Sequence, residues 1–235
     1  TGEELRSQFG LLTRVTATIP MRRIQTLTVQ RAPLYRLVGR AALRVDTAGG
    51  HTEQQVQAQR QWLAPIVEES ALQELVRVVL PVADPARTAW QGVHAAAFRR
   101  VLRRSLVMAT LVSCALVALL EWWTLALWIA LCGWAIVASR GYVASLEWTI
   151  TDEAIGFRSG WVWRYLTVAP LAKAQAVSLR QSPFDRRYGM ATLLVDTAGG
   201  HDAPHRIEIP FLPYDTAFAL RERISRTAAA TAFRW

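Results

Sequence analysis

Asp46-Thr47-Ala48-Gly49-Gly50-His51 recurs unchanged as Asp196-Thr197-Ala198-Gly199-Gly200-His201, 150 residues further on. Sliding the chain along itself by that offset aligns Gly10 with Gly160, Arg14 with Arg164, Pro20 with Pro170 and Gln25 with Gln175. It also aligns Pro33 with Pro183, Arg36 with Arg186, Gly39 with Gly189, Leu43 with Leu193 and Val45 with Val195, with no gap between Thr1 and His51. A register held over that length is the mark of an internal repeat, so the chain reads as two copies of one unit.

The unit has the pattern of short strands. Arg14–Ile19, Ile24–Arg31 and Ala41–Asp46 are β-branched or apolar runs broken by Pro20, Pro33, Gly39 and Gly49-Gly50. Their counterparts are Trp161–Val168, Ala174–Gln181 and Ala191–Asp196. A strand Arg206–Ile209 is expected before Pro210, followed by a helix over Tyr214–Arg226 with Ala217, Leu220 and Ile224 on one face. The first copy closes the same way, with a strand near Trp62, then Pro65, then a helix from Glu69 to Leu80. Pro65 and Pro210 are only 145 apart, which places five extra residues in the polar loop Gln54–Gln61 of the first copy. Leu146-Glu-Trp-Thr-Ile150 reads as a first strand of the second copy, and its counterpart would precede Thr1. The first copy is therefore expected to lack an edge strand. The chain, which opens without methionine or a signal-peptide pattern, is expected to be a piece of a longer one.

Between the copies lies SLVMATLVSCALVALLEWWTLALWIALCGWAIVAS, Ser105 to Ser139, which holds most of the excess that takes the apolar share to 52%. One helix over that stretch would be about 50 Å long, too long for a hydrocarbon core of about 30 Å. Breaking it at Glu121 gives two arms, 105–120 and 122–139, each close to spanning length. Glu121, Trp122 and Trp123 suit the turn, a carboxylate in water beside two indoles at headgroup level. The competing reading makes Glu121 an intramembrane proton site, and its midway position favours the turn. Arg99, Arg100, Arg103 and Arg104 before the first arm and Arg140 after the second place both ends in the cytoplasm. The expected layout is a first unit over 1–80, a linker over 81–104 with Trp90 as an interfacial anchor, the two helices, and a second unit over 146–228.

Beside a hydrophobic hairpin, the net charge of +9 points to anionic lipid rather than nucleic acid. Cys114 and Cys132 both lie within the apolar stretch, so no disulfide framework or zinc spacing exists.

Trp148-Thr-Ile-Thr151, Gly160, Ile19-Pro-Met-Arg-Arg-Ile-Gln25, Pro33-Leu-Tyr-Arg36, Gly39 and the Asp-Thr-Ala-Gly-Gly pair stand in an order that resembles the bacterial pleckstrin-homology (PH) domains of the YdbS-like type. The second copy keeps Pro170, Gln175, Arg186 and Gly189, and departs at Ala169, Lys173 and Ala174, where that family has Ile, Arg and Ile. The resemblance implies a mostly β fold with C-terminal helices: two PH-like antiparallel β-barrel or sandwich domains joined by a two-helix transmembrane hairpin. It further implies a bacterial plasma-membrane protein, multi-pass, with some association with cell-envelope stress or antimicrobial resistance. It carries over no catalytic residue, and a fold does not supply a function by itself.

Asp46 with His51, and Asp196 with His201, invite an acid–base reading. Gly-Gly after a strand explains the same residues as a tight turn, and shared ancestry explains the duplication. His201 and His205 lack a third metal ligand. No phosphate loop, nucleophile elbow, His-Glu-x-x-His or dinucleotide fingerprint is present, so neither a catalytic site nor a cofactor is expected. Arginines are the better binding candidates: Arg22, Arg23, Arg31, Arg36 and Arg40 in the first copy, and Arg180, Arg186 and Arg187 in the second. The matched pair Arg36 and Arg186 points to a structural role. The function expected is a membrane-anchored, non-enzymatic scaffold that binds a protein partner or itself. The alternatives are a sensor of anionic lipid headgroups and a subunit of a transporter or channel.

Overall fold

A computed structural model of the chain describes residues 4–9, 15–47, 61–68, 71–72, 76, 89–120, 122–197 and 206–230. The N-terminal half contributes β1 (Glu4–Phe9), β2 (Val15–Pro20), β3 (Ile24–Arg31), the short helix α1 (Pro33–Leu37), β4 (Arg40–Thr47) and β5 (Gln61–Glu68). Ala71, Leu72 and Val76 beyond it are helical. A two-residue strand β6 (Gln91–Gly92) leads into two long helices, α2 (Ala97–Leu120) and α3 (Trp123–Ala144). The C-terminal half adds β7 (Glu147–Ile150), β8 (Ala154–Ser159), β9 (Arg164–Pro170), β10 (Ala174–Arg180), α4 (Pro183–Arg187), β11 (Met190–Thr197), β12 (Arg206–Pro213) and α5 (Tyr214–Ala230).

Strand pairing repeats at the offset seen in the sequence. Leu5 opposite Ile19 becomes Ile155 opposite Ala169, and Leu27 opposite Val45 becomes Val177 opposite Val195. Even the bulge between Ile24 and Thr26 returns between Ala174 and Ala176. The matched Pro33…Gly39 and Pro183…Gly189 segments, which the sequence presents as loop punctuation, each form one turn of helix. Proline occupies the first helical positions, and the glycine beyond the end takes a φ of about +62°, donating its N–H to the carbonyl of Arg36 or Arg186.

The sheets do not stay within their halves. β3 pairs antiparallel with β9, Leu27 opposite Val168 and Val29 opposite Leu166, making one seven-stranded sheet ordered β5-β4-β3-β9-β8-β7-β6. β10, β11 and β12 form a separate sheet, and β1 pairs with β2. One core gathers Leu193, Val195, Ile207, Ile209, Leu212 and Ile224 beneath α5. The other gathers Leu27, Val29, Leu43, Val45, Leu72 and Val76, and it is completed by Ala154, Leu166 and Val168 from the C-terminal half.

Several boundaries differ from the expectation. β12 runs on through Pro210 to Pro213 instead of stopping at Ile209. A register shift between Ala191 and Leu193, with Phe211 at φ 58°, lets the strand carry a residue that cannot donate to the ladder. β5 passes Pro65 with a similar shift between Ala41 and Leu43. β9 starts at Arg164 rather than Trp161. The first long helix starts at Ala97, inside the expected linker, so Arg99, Arg100, Arg103 and Arg104 form its opening turns. The second continues past Ser139 to Ala144. Trp90 is not a free anchor: β6 beside it pairs with β7, Arg158 lies 3.7 Å over its ring, and its edge packs on Gly156.

Candidate functional site

The helix pair inverts the usual burial order. Among the described residues, its buried ones are small or polar: Ala97, Ala109, Ser113, Thr124, Ala135 and Ser139. Trp128 donates to Thr110 at 3.2 Å, and Ser139 reaches Ser105 at 3.5 Å. Exposed instead are Val107, Met108, Leu111, Val112, Leu125, Ile129, Trp134, Ile136 and Val137. Small residues let the two backbones approach and leave the large apolar side chains facing outward, an arrangement stable against hydrocarbon and unfavourable against water. By length and composition, one helix, Trp123–Ala144, is long and apolar enough to cross a membrane. The apolar part of α2 is shorter because arginines fill its first turns. At the far end Trp122 and Trp123 are exposed with ring centroids 4.6 Å apart, while Glu121 between the helices lies outside the described residues.

At the other end the C-terminal half grips both helices. Arg100 of α2 forms an ion pair with Asp185 of α4 at 2.6 Å, without the alignment of a hydrogen bond, and donates to Ser182 Oγ at 3.0 Å. Asp185 also completes a capping box with Ser182 that fixes α4. Arg100 lies over Phe184 and Arg103 over Tyr188, while Arg140 of α3 lies over Phe98. On α3, Trp161 from the β8–β9 turn packs against Gly141 and lies 6.0 Å from Trp134. Its neighbours Val162 and Trp163 are exposed.

These contacts set α4, with Arg186 and Arg187 exposed on it, against the turns of α2 that carry Arg99, Arg100, Arg103 and Arg104. The result is a basic collar with Phe184 exposed beneath Arg100. Guanidinium groups beside amphipathic rings suit a phosphate-bearing interface. Arg31 of β3 reaches the same level, in a cleft of about 500 Å³ shared with Gly141, Ala144, Glu147 and Arg158. α1 begins two residues later, with Leu34 74% and Leu37 83% exposed.

The other arginines scatter. Arg23, Arg36 and Arg40 are exposed on the N-terminal half, and the side chain of Arg22 lies outside the described residues. Among the described residues no ion pair fixes Arg36 or Arg186, so the structural element they share is the backbone turn to Gly39 and Gly189. Arg180 pairs with Glu208. Asp46 is buried, accepting from Thr26 at 2.8 Å and from Arg44 at 3.2 Å. Its structural role is clear, while Gly49, Gly50, His51 and the segment holding His201 and His205 lie outside the described residues. Sequence reasoning missed the Trp161-Val-Trp163 turn and α4 as the grip on the helices. The signal available was the two tryptophans just after Gly160, which the expected strand Trp161–Val168 had absorbed.

Residues 1–83 and 94–228 match the profile of the family described as Bacterial PH domain, and the chain belongs to that family of membrane-associated PH-domain proteins. The UPF0699 transmembrane protein YdbT of Bacillus subtilis (strain 168) is 22% identical over 193 residues, covering 81% of this chain and 38% of that protein. The chain thus spans well under half the length of that relative. No solved structure matches.

Proposed function

We propose that the protein is a membrane-anchored, non-enzymatic scaffold. α2 and α3 cross the bilayer as a hairpin that turns at Glu121 on the outer side. Two PH-like units, 1–80 and 146–228, sit on the cytoplasmic face and bind a protein partner or one another. Cell-envelope stress or antimicrobial resistance is the setting that the family resemblance implies. The observation that carries the reading is the inverted helix pair, small residues inside and large apolar ones outside. The arginine collar at one end supports the orientation.

Topology is tested in intact cells with Cys114 and Cys132 replaced. A cysteine at Glu121 should react with a membrane-impermeant maleimide, and one at exposed Ser225 should react only after lysis. The reverse pattern overturns the orientation. A pull-down from native membranes that yields no stoichiometric partner, the chain itself included, overturns the scaffold.

The collar favours a second reading, recognition of anionic headgroups by Arg186 and Arg187 next to the α2 arginines. Binding of fluorescent phosphatidylglycerol to the full chain in nanodiscs should weaken with salt and with Arg186→Ala/Arg187→Ala. Binding unaffected by both changes removes this reading.

A further inference from the structure

We infer that the open edge of β10 is a docking edge for β2 of a second copy of this chain, so that copies join head to tail through their sheets. This deepens the scaffold reading, rests on it, and names the partner.

The argument starts from the joint already present. β3 and β10 are the same strand in the two halves: each pairs with its neighbour in the same register and with the same bulge. β2 and β9 correspond likewise. Within one chain, β3 of the first half pairs with β9 of the second. That joint is heterologous, one surface meeting a different surface, and it therefore leaves one of each unused. Among the described residues β10 pairs with β11 alone and β2 with β1 alone.

Burial shows what the missing neighbour does. Within the paired stretch of β3, Leu27 and Val29 are 0% and 1% exposed, and Thr28 meets Thr167 across the joint. At the equivalent positions Val177 and Leu179 are only half-buried and Ser178 is exposed. Ala174–Arg180 contains no proline and no lysine to keep its edge from pairing, and the bulge it carries is the one that β3 carries within the joint. Arg180, its one charge, is held by Glu208 of β12. α4 is fixed to α2, and α1 follows directly from Arg31 beside the end of α3, so both short helices lie at the same end of the helix pair. A joint repeated between chains then extends along the membrane surface. Heterologous joints give rings if the rotation closes and filaments if it does not.

The offset fixes the register. Leu27 opposite Val168 and Thr28 opposite Thr167 become Val177 opposite Thr18 and Ser178 opposite Ala17.

In membranes, with Cys114 and Cys132 replaced by alanine, one tagged chain carries Ala17→Cys and a differently tagged chain carries Ser178→Cys. Mild oxidation should give a disulfide-linked species bearing both tags, and a chain with both substitutions should give a ladder. Pairing Ala17→Cys with Ser225→Cys should give neither. Ser178→Lys, on an exposed position, should abolish sedimentation of the assembly in detergent while leaving thermal stability unchanged. Dominant Ser178–Ser178 dimers, or no cross-link in a chain whose maleimide topology is intact, overturn the proposal without touching the membrane anchor. Exchange protection at every amide of 176–180 in a monomeric chain also overturns it, since β11 covers only alternate ones and another occupant then fills the edge.

Discussion

Thr28 and Thr167 face each other with their hydroxyls 3.5 Å apart, although 139 residues separate them in the chain. Their contact lies on the seam where β3 meets β9. Replacing both with cysteine should close a disulfide within one chain, since the separation is compatible with disulfide geometry. Loop closure over so long a span should raise stability by about 2–4 kcal/mol. Mobility on a non-reducing gel and the thermal midpoint report the outcome, and two freely alkylated thiols would count against the seam.

The duplicated aspartates should behave differently. Asp46 is buried and bonded to Thr26 and Arg44, whereas the residues equivalent to those partners are Ala176 and Leu194, which offer Asp196 no side-chain donor. Asp46→Ala strands a guanidinium and a hydroxyl and should cost about 2–4 kcal/mol. Asp196→Ala should stay within about 0.5 kcal/mol. Chemical denaturation of the two variants checks the contrast.

Arg100 and Asp185 hold α4 against α2, with side chains 28% and 11% exposed. Asp185→Ala removes the ion pair and the capping box together and should cost about 2–3 kcal/mol. Arg100→Ala should cost less, and the double variant less than the sum. Additive losses would show that the pair does not couple the two elements.

A β-carbon on Gly141 would lie 2.5 Å from Cδ2 of Trp161. Gly141→Ala should therefore displace the β8–β9 turn from α3 at a cost of about 1–3 kcal/mol. Adding Trp161→Ala should relieve the clash, leaving the double variant less damaged than the two single losses predict. Thermal midpoints in detergent decide it.

Most strands were legible because each carries a β-branched core between turn residues, as Ile24–Arg31 does. The boundaries that moved did so where local chemistry was overridden. Pro210 would normally end a strand, yet the bulge at Ala191–Leu193 and the left-handed Phe211 carry β12 past it. β8 escaped notice because Ala154-Ile-Gly-Phe-Arg-Ser159 has a central glycine, which there gives Trp90 room to pack. The arginine pattern showed that a basic surface exists but not where. Arg186 and Arg187 reach the collar through the Arg100–Asp185 pair, whose members stand far apart in sequence. The seam was invisible for the same reason, since nothing in β3 or β9 alone names its neighbour.

The backbone N–H of His94, just ahead of α2, donates to the carbonyl of Phe211 at 2.8 Å, and α3 runs through Leu146 directly into β7. The hairpin thus leaves and re-enters the same half of the molecule, like a stem whose two strands are rooted in one base. The natural place to cut the chain is therefore ahead of Trp90, not at the start of the apolar arm. Cutting at Ser105 would strip Trp90 and His94 from β8 and β12. Either cut uncovers the side of β9 that β3 now shields, leaving the severed base a ready template for other strands.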